Sequence, residues 1–326
     1  MNKLPLISIV IPTLNSEKDI ARCLGSIFRQ SYPKNRLEIL VIDNGSSDKT
    51  LEIVKKFNVK VVHNQQVGNL YSKMLALRMA KGEYFIYFDS DIDLIGVNFF
   101  EKMVKPLEDD LEIAASFCRF LPKKSDPFLS RYLSYETLQR DPIYEFFSPA
   151  VADVVVQKGF QYDICEYSMK KIPPSGLCLY RRSILLEVND IKKELKFMEL
   201  DNLVLMIKAG HTRFAYVHGV GMHHPFVKNL HDLMKKRLRN ISKNYLHQSS
   251  PRLYKWFDLK SINGLIRVFV WVIYATTLVG PSIRGIIKSF KYNDGACLYE
   301  PIVAFVETWV IIYGFVRYSL SVNNYV

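Results

Sequence analysis

The stretch GEYFIYFDSDID, residues 82–93, decides the fold. Residues 83–88 are mostly aromatic and aliphatic, with neither glycine nor proline, which is typical of a buried strand. Three acidic residues follow at alternate positions: Asp89, Asp91 and Asp93. Ligands of open α/β sheets bind beyond the carboxyl ends of the strands. A buried strand that ends in carboxylates therefore predicts a polar binding site at this edge of a sheet.

Three other short runs have the same character, and helical patterns of about ten to fifteen residues lie between the runs. This alternation predicts βαβ units in an α/β domain with a doubly wound, mostly parallel sheet. Asp43 ends the second run as Asp89 ends the fourth, so both carboxylates should lie at one sheet edge. The three runs are Leu6–Pro12, Leu37–Asp43 and Val59–Asn64.

The composition narrows the class of partner. The chain has 326 residues and a formal net charge of +12, which indicates an anionic partner such as a nucleic acid, a membrane surface or a phosphorylated substrate. No RNP-like aromatic motif or basic helix-turn-helix is present, so we expect no nucleic acid. Five scattered cysteines without a CxxC pair indicate a reducing compartment. We see no signal peptide and expect the N-terminal part to face the cytoplasm.

The C-terminal part predicts attachment to a membrane. Residues 228–260 contain nine Lys or Arg against two Asp, and two apolar runs follow, Val268–Ile283 and Ala296–Val316. A spanning helix needs roughly 17 to 25 residues, so both runs are marginal spans, with in-plane or re-entrant helices or a buried hairpin as alternatives. The second run contains Glu300 and Glu307, which are i and i+7 and should share a helix face turned away from lipid.

These patterns predict three parts. No flexible linker interrupts residues 1–227, so we predict one catalytic domain over that range. Residues 228–262 should form basic juxtamembrane helices, and residues 263–326 a membrane domain with about two transmembrane helices. The excess of basic residues before the first apolar run places this segment, and the catalytic domain, on the cytoplasmic side of a cell membrane.

The three acids after the strand suggest a metal site. In extended conformation Asp89, Asp91 and Asp93 would share one face, where their like charges repel. A divalent cation that prefers oxygen ligands, Mn²⁺ or Mg²⁺, neutralises such a cluster and bridges a diphosphate. An isolated DxD is more often an ordinary acidic turn, so the rest of the sequence has to decide.

Three motifs in order resemble family-2 glycosyltransferases, inverting enzymes of the GT-A fold that use nucleotide sugars. They are SIVIPTLNSEKDI, LVIDNGSSDKT and GNLYSKMLALRMAKGEYFIYFDSDID, and the resemblance covers roughly residues 6–225. It implies a nucleoside site that includes Pro12, Thr13, Glu17 and Asp43. A carboxylate acceptor suits such a site, because it can pair with a base-ring N–H.

The resemblance also implies roles near the diphosphate. Asp89 would contact the nucleoside or ribose and Asp91 the metal, while Asp93 is additional and would be solvated. Lys73 stands where the family often has Asn or Arg facing the phosphates. His223, the first of two adjacent histidines, would lie near the metal, with His224 the less favoured of the pair. Arg237 or Arg239 could reach the diphosphate, or a lipid head group.

The segment FMELDNLVLMIKAGH resembles the family segment that supplies the general base. Spacing from Gly210 selects Glu199, whereas residue type selects Asp201, which we favour slightly. The two are about 200° apart on a helix, so only one should face the cleft. The alternative is that both only charge the helix N-terminus.

Together these features predict a membrane-bound enzyme that transfers a hexose with inversion. The donor would be a nucleotide sugar of the GDP-mannose or UDP-glucose type, and membrane lipids would be further partners. Two candidate bases favour a hydroxyl acceptor on a dolichyl- or polyprenyl-linked saccharide. The alternatives are transfer to a dolichyl or polyprenyl monophosphate, and a membrane-tethered nucleotide-sugar-binding protein without turnover.

Overall fold

The chain forms two compact units in a computed structural model. Unit 1 comprises Met1–Leu121 and Val151–His224, and unit 2 comprises Pro122–Ala150 and Pro225–Val326. The predicted catalytic domain is therefore not continuous, because residues 122–150 belong to unit 2. The structure describes residues 4–66, 68–138, 141–190, 196–242, 252–255 and 261–323, with side chains up to residue 317.

The regular elements are as follows. The strands are β1 (Ile7–Thr13), β2 (Leu37–Asp43), β3 (Lys60–His63), β4 (Tyr84–Tyr87), β5 (Asp93–Ile95), β6 (Ile113–Phe120), β7 (Val155–Gln157), β8 (Tyr162–Glu166), β9 (Leu179–Arg181) and β10 (Arg213–His223). The helices are α1 (Ile20–Phe28), α2 (Thr50–Val54), α3 (Asn69–Met79), α4 (Phe99–Asp109), α5 (Phe128–Tyr132), α6 (Pro142–Phe147), α7 (Arg182–Val188), α8 (Glu199–Lys208), α9 (Leu230–Ile241), α10 (Ile262–Thr277), α11 (Val279–Tyr292) and α12 (Glu300–Asn323).

Unit 1 is built on one ten-stranded sheet. The strand order is β3-β2-β1-β4-β9-β6-β10-β8-β7, and β5 pairs with β10 off this path. The first four strands in this order are parallel, as the sequence predicts, whereas β9 runs antiparallel to both β4 and β6. The sheet of unit 1 is therefore mixed, with both parallel and antiparallel strand pairs. All seven residues of β1 are buried, which fits an apolar run at the centre of a sheet.

Unit 2 gathers α5, α6 and α9–α12. Helix α6 packs its Ile143 and Phe147 against Trp271 of α10 and Ala304 of α12. Residues 122–150 carry short amphipathic pieces whose apolar side chains are buried against the C-terminal helices. The segment belongs to unit 2 because of this packing, and residue composition alone does not predict which unit it packs on.

Buried charges also hold unit 2 together. Glu300 and Glu307 are 0% and 1% exposed, which confirms that they share a face turned towards protein. Glu300 contacts Lys288 at 2.9 Å, and Glu307 contacts Arg237 at 2.5 Å. Two acids of the α6 segment contact these cations as well: Asp141 lies 2.5 Å from Arg237, and Glu145 lies 2.8 Å from Lys288. Glu145 also pairs with Arg284.

The first predicted membrane run, Val268–Ile283, is not one helix. Helix α10 ends at Thr277, Leu278 takes a left-handed φ of 61°, and α11 leaves at a bend of 74°. Pro281 explains the break, since an uninterrupted helix would press its ring against the carbonyl of Thr277. Within the described residues, the 23-residue stretch Gly295–Arg317 is long and apolar enough to cross a membrane on its own.

Gly82 generates a prediction about the sheet. A Cβ there would lie 2.5 Å from the Ser8 amide nitrogen and 2.8 Å from the Leu6 carbonyl oxygen, both backbone atoms of the β1 region. Gly82→Ala should therefore lower the free energy of unfolding by about 1–3 kcal/mol. The matched control is Gly25→Ala in α1, where the nearest atom is the flexible Arg29 guanidinium at 3.5 Å. That change should be neutral or slightly stabilising, and equal melting temperatures for both variants would contradict the argument.

Candidate functional site

The carboxyl ends of β1 and β2 meet at one edge of the sheet. Thr13 and Asp43 are opposite each other in the parallel register, and both side chains are buried. The Asp43 carboxylate accepts hydrogen bonds from the backbone amides of Gly45 and Ser46, at 3.1 and 3.2 Å. His63 Nδ1, at the end of β3, lies 3.5 Å from Asp43 Oδ2. The carboxylate is thus held rigidly at the place where the sequence predicts a nucleoside.

Asn44 ties the neighbouring loops to this strand end. Its Oδ1 accepts hydrogen bonds from the Gly68 amide and the Ser72 hydroxyl, both at 2.9 Å, and from the Asn64 amide group at 3.1 Å. Its Nδ2 donates to the Thr13 carbonyl at 3.1 Å. One buried side chain therefore fixes the end of β1, the loop after β3 and the start of α3.

The turns after β1 and β2 are also joined. Glu17 is exposed, accepts a hydrogen bond from the Lys49 amide at 3.1 Å and donates its own amide to Asp48 at 3.1 Å. Slight desolvation opposes ionisation of Asp48, but hydrogen bonds from Thr50 and from the Glu17 amide hold its pKa below the usual value. Pro12 is buried within β1, so its contribution to the site is the backbone path that it fixes.

The three acids after β4 do not share one face. The chain turns after Asp89, where the Ile92 amide donates to the Asp89 carbonyl at 3.0 Å, and β5 begins at Asp93. Asp93 is buried and lies 3.5 Å from the Arg29 guanidinium, so the expectation that it is solvated is wrong. The turn is the physical reason, because alternate residues share a face only in extended conformation.

Lys73 connects two parts of the predicted site. Its Nζ is buried on α3, 2.6 Å from Glu199 Oε1 at the start of α8 and 3.9 Å from Asp89 Oδ1. The same Nζ lies 3.8 Å from the ring centroid of Tyr87, the last residue of β4. The nucleoside side and the segment that carries the candidate bases therefore meet at one ammonium group.

This contact bears on the choice of base. Glu199 reaches the strand ends through Lys73, and the side chain two positions on, Asp201, leaves the helix about 200° away. Asp201 is buried in α8. Glu199, the residue that spacing selects, therefore lies beside the strand ends, and which of the two carboxylates acts as a base stays a prediction.

The two adjacent histidines have different surroundings. His224 Nε2 lies 3.2 Å from Asp91 Oδ1, whereas His223 is buried at the end of β10, opposite Asp93. Strand β10 ends at His223, and the imidazole of His224 turns towards Asp91 directly after it. His224 is thus the histidine beside Asp91, and metal binding by either residue stays a prediction.

One carboxylate and one imidazole lie together at this edge as candidate metal donors. Within the described residues no group of three or more His, Cys, Asp or Glu is arranged to hold a metal. Asp91 and His224 supply one carboxylate and one imidazole, donors that Mn²⁺ accepts. Mg²⁺ commonly takes one or two carboxylates and fills its other positions with phosphate and water.

Arg237 is not available to a diphosphate. Its guanidinium is buried in unit 2 between Asp141 and Glu307, and although burial opposes its charge, the two carboxylates raise its pKa well above the usual value. The predicted contact is replaced by a structural ion pair. Arg239 is exposed on α9, and its predicted role stays a prediction.

Several site residues escaped the sequence analysis. Asn69 of α3 donates to Asp89 Oδ1 at 3.3 Å, and the Ser16 and Ser90 hydroxyls are 2.8 Å apart. The Arg22 guanidinium donates to the Asp91 carbonyl at 3.1 Å. For Asn44 a signal did exist, since it directly follows Asp43 at a strand end, whereas the contacts of Arg22 and Ser90 depend on folding.

A family model described as Glycosyl transferase family 2 matches residues 8–188. The chain is 40% identical over 89 residues to the "Dolichyl N-acetyl-alpha-D-glucosaminyl phosphate 3-beta-D-2,3-diacetamido-2,3-dideoxy-beta-D-glucuronosyltransferase" of Methanococcus voltae, covering 25% of this chain and 28% of that protein. It is 32% identical over 94 residues to Glycosyltransferase AglE of Haloferax volcanii, covering 27% and 31% respectively. The chain thus spans under a third of the length of these two relatives.

Among solved structures, the chain is similar to the mannosyltransferase PcManGT from Pyrobaculum calidifontis in complex with GDP-Man and Mn²⁺. The TM-score is 0.59 at 18% identity, and the match covers 97% of this chain and 88% of that one. At this identity the likeness shows the fold alone, and the predicted GT-A fold is confirmed.

Asn44 carries a prediction for the site. Asn44→Ala removes four hydrogen bonds and leaves the Gly68 amide and the Thr13 carbonyl without this partner. It should cost about 1–3 kcal/mol of unfolding free energy, the range for one group left unpaired, because the Gly68 amide loses its acceptor while the Thr13 carbonyl still accepts from the backbone amide of residue 44. Asn44→Asp would bury a second carboxylate beside Asp43, with an oxygen facing the Thr13 carbonyl, so it should cost at least as much as Asn44→Ala. Thermal melting measures both, and an alanine variant as stable as the parent would contradict this role.

Proposed function

We propose that this chain, which belongs to glycosyl transferase family 2, transfers a hexose with inversion from a nucleotide sugar to a hydroxyl of a lipid-linked saccharide. The observation that carries the proposal is the position of Lys73 between Asp89 and Glu199. It joins the strand ends, where a nucleotide would bind, to the helix that offers a carboxylate to an acceptor.

The donor would lie over the carboxyl ends of β1, β2 and β4. Asp43 offers a fixed carboxylate to a base-ring N–H, and Asp89 offers one to the nucleoside or ribose. A donor of the GDP-mannose or UDP-glucose type fits this arrangement. Asp91 and His224 would hold Mn²⁺ or Mg²⁺, which, when bound, supplies charge stabilisation to the leaving diphosphate.

The acceptor side is supplied by α8. A sugar hydroxyl must lose its proton as its oxygen bonds to the anomeric carbon, on the side opposite the leaving group. Glu199 would take that proton. Lys73, 2.6 Å away, holds the carboxylate in place and balances its charge. Asp201, buried two positions on, would support the fold of the helix start.

A lipid-linked acceptor is supported by two further observations. Unit 2 contains a helix long and apolar enough to cross a membrane. The relative from Methanococcus voltae bears a dolichyl-linked compound in its name. We place the reaction at the cytoplasmic face of a cell membrane, because nine basic residues precede the first apolar run.

Replacing the candidate bases separately tests the mechanism. Glu199→Gln should lower kcat by roughly 10² to 10⁴ with little change in the KM for the donor, because the lost group acts on the acceptor proton. Asp201→Asn should lower kcat less than about tenfold. Loss of a positioned base would lower kcat about a hundredfold or more, so this smaller effect would show that Asp201 is not the base. Rates are measured with dolichyl-linked saccharides and with dolichyl monophosphate.

The outcomes separate the alternatives. A larger loss in Asp201→Asn would make that residue the base. Near-normal rates in both variants, with dolichyl monophosphate as the preferred acceptor, would mean that no carboxylate base is needed and that the hydroxyl acceptor is wrong. Tight nucleotide-sugar binding without any product, on any acceptor, would favour a binding protein.

The metal site gives a second test. Asp91→Asn and His224→Gln should each raise the Mn²⁺ concentration for half-maximal activity at least about tenfold. Asp91→Asn should also lower kcat about a hundredfold or more, since a metal supplies several kcal/mol to the transition state. Arg29→Gln, which removes the partner of Asp93, is the control and should leave the Mn²⁺ dependence unchanged. Full turnover in excess chelator would contradict metal dependence.

A further inference from the structure

The C-terminal helices of unit 2 each expose one apolar stripe. The exposed positions recur every three or four residues, so each stripe occupies a single helix face. The stripes are Ile262, Leu265, Ile266, Phe269, Val270 and Ile273 on α10; Val279, Ile283, Ile286, Ile287 and Phe290 on α11; and Ile302, Phe305, Trp309, Ile312, Tyr313 and Val316 on α12.

The opposite face of α12 is covered by the amphipathic segments α5, α6 and α9. Near its start, Glu300 accepts a hydrogen bond from Tyr132 of α5 at 2.8 Å. Ala304, one turn on, packs against α6. Further along, Glu307 meets Arg237 of α9. A Cβ on Gly314 would lie 2.9 Å from Ile241 at the end of α9.

These covering segments cannot lie in hydrocarbon. Helices α5 and α6 have five and six residues, and lipid would leave the polar groups of the irregular backbone beside them unsatisfied wherever that backbone is exposed, as at Lys124 and Ser125. Helix α9 exposes Lys235, Arg239 and Asn240 on the side away from α12. These charges lie at the level of Glu307–Gly314, near the middle of the apolar stretch. If α12 crossed a bilayer, they would be enclosed in its hydrocarbon core, where charge is strongly disfavoured.

The broken pair α10–α11 supports the same conclusion. Its two helices meet at 74°, so neither continues the other through a bilayer, yet both carry exposed apolar stripes. Arg267 and Lys291 are exposed beside these stripes rather than within them. Such helices match segments that lie in the plane of a membrane interface.

We propose that unit 2 inserts its three apolar stripes into one leaflet of an anionic bilayer and does not cross it. The occupant of this surface is the lipid leaflet itself, with anionic head groups paired to the basic residues beside the stripes. This inference rests on the membrane attachment in the proposed function but not on sugar transfer. Its tests use binding and topology, so they succeed or fail independently of activity.

The first experiment determines topology in the full-length chain. Lys158→Cys marks an exposed position of unit 1, Gly295→Cys an exposed position between α11 and α12 where a Cβ meets no atom within 4 Å, and Asn324→Cys the position that follows Asn323 in the sequence; the native cysteines are all buried. Membrane vesicles of known orientation are treated with a membrane-impermeant maleimide, before and after detergent. All three cysteines should label from the same side. Labelling of any one of them from the opposite side would show that the C-terminal helices cross the bilayer, once or twice, and would overturn the proposal.

The second experiment compares two positions of α11. Ile287→Glu places a charge in the exposed stripe, whereas Ser289→Glu places the same charge on a half-buried position outside it. Binding to vesicles of phosphatidylcholine with 30% phosphatidylglycerol, a composition chosen as roughly that of an anionic surface, should weaken at least about tenfold for Ile287→Glu and less than about threefold for Ser289→Glu. Equal binding of both variants and the parent, or no vesicle binding by the parent, would contradict the proposal.

Discussion

The parallel pairing of β1 with β2 on one side and with β4 on the other is the constraint on which the site depends. Parallel strands bring their carboxyl ends to one edge, so Thr13 and Asp43 are neighbours and Asp89 follows the end of β4. The register is fixed because β1 is buried on both faces and a slip by one residue would misplace every side chain. Gly82 allows the chain to approach β1 closely enough for β4 to pair. The positions of the carboxylates are therefore set by hydrogen bonds between uncharged backbone groups of the sheet.

The remaining geometry of the site comes from contacts between distant segments. Lys73 and Glu199 are 126 positions apart and meet at 2.6 Å. A lysine on a helix is usually solvent-exposed, so its sequence neighbours do not reveal that Lys73 is buried beside Tyr87. Burial makes the pair consequential, because a charge removed from water needs a partner. The ion pair thus ties the orientation of α8 to that of α3.

What the sequence predicts well is whatever depends on local pattern and strand ends. The strands of the parallel half and the place of Asp43 follow from runs of apolar residues that end in polar turns, and the GT-A fold follows from the resemblance of three motifs to the family. The wrong predictions concern side chains whose direction is set by a turn or by contact with a residue distant in the sequence. The turn after Asp89 sends Asp93 into β5, and the end of β10 at His223 leaves His224 as the histidine beside Asp91. Residues 122–150 join unit 2 because their apolar side chains match helices more than a hundred residues away.

The buried acids of α12 show how hydropathy and packing describe one helix differently. As interruptions of an apolar run, Glu300 and Glu307 weaken its resemblance to a span; in the structure each faces cations from a neighbouring helix. A buried ion pair adds little net stability, but removing one partner costs about 3–5 kcal/mol, because the other charge stays buried. The pairs therefore act mainly by selecting which helices pack on α12. That selection leaves the charged face of the helix against protein and its apolar face exposed, which is the asymmetry that a surface in contact with a single leaflet requires.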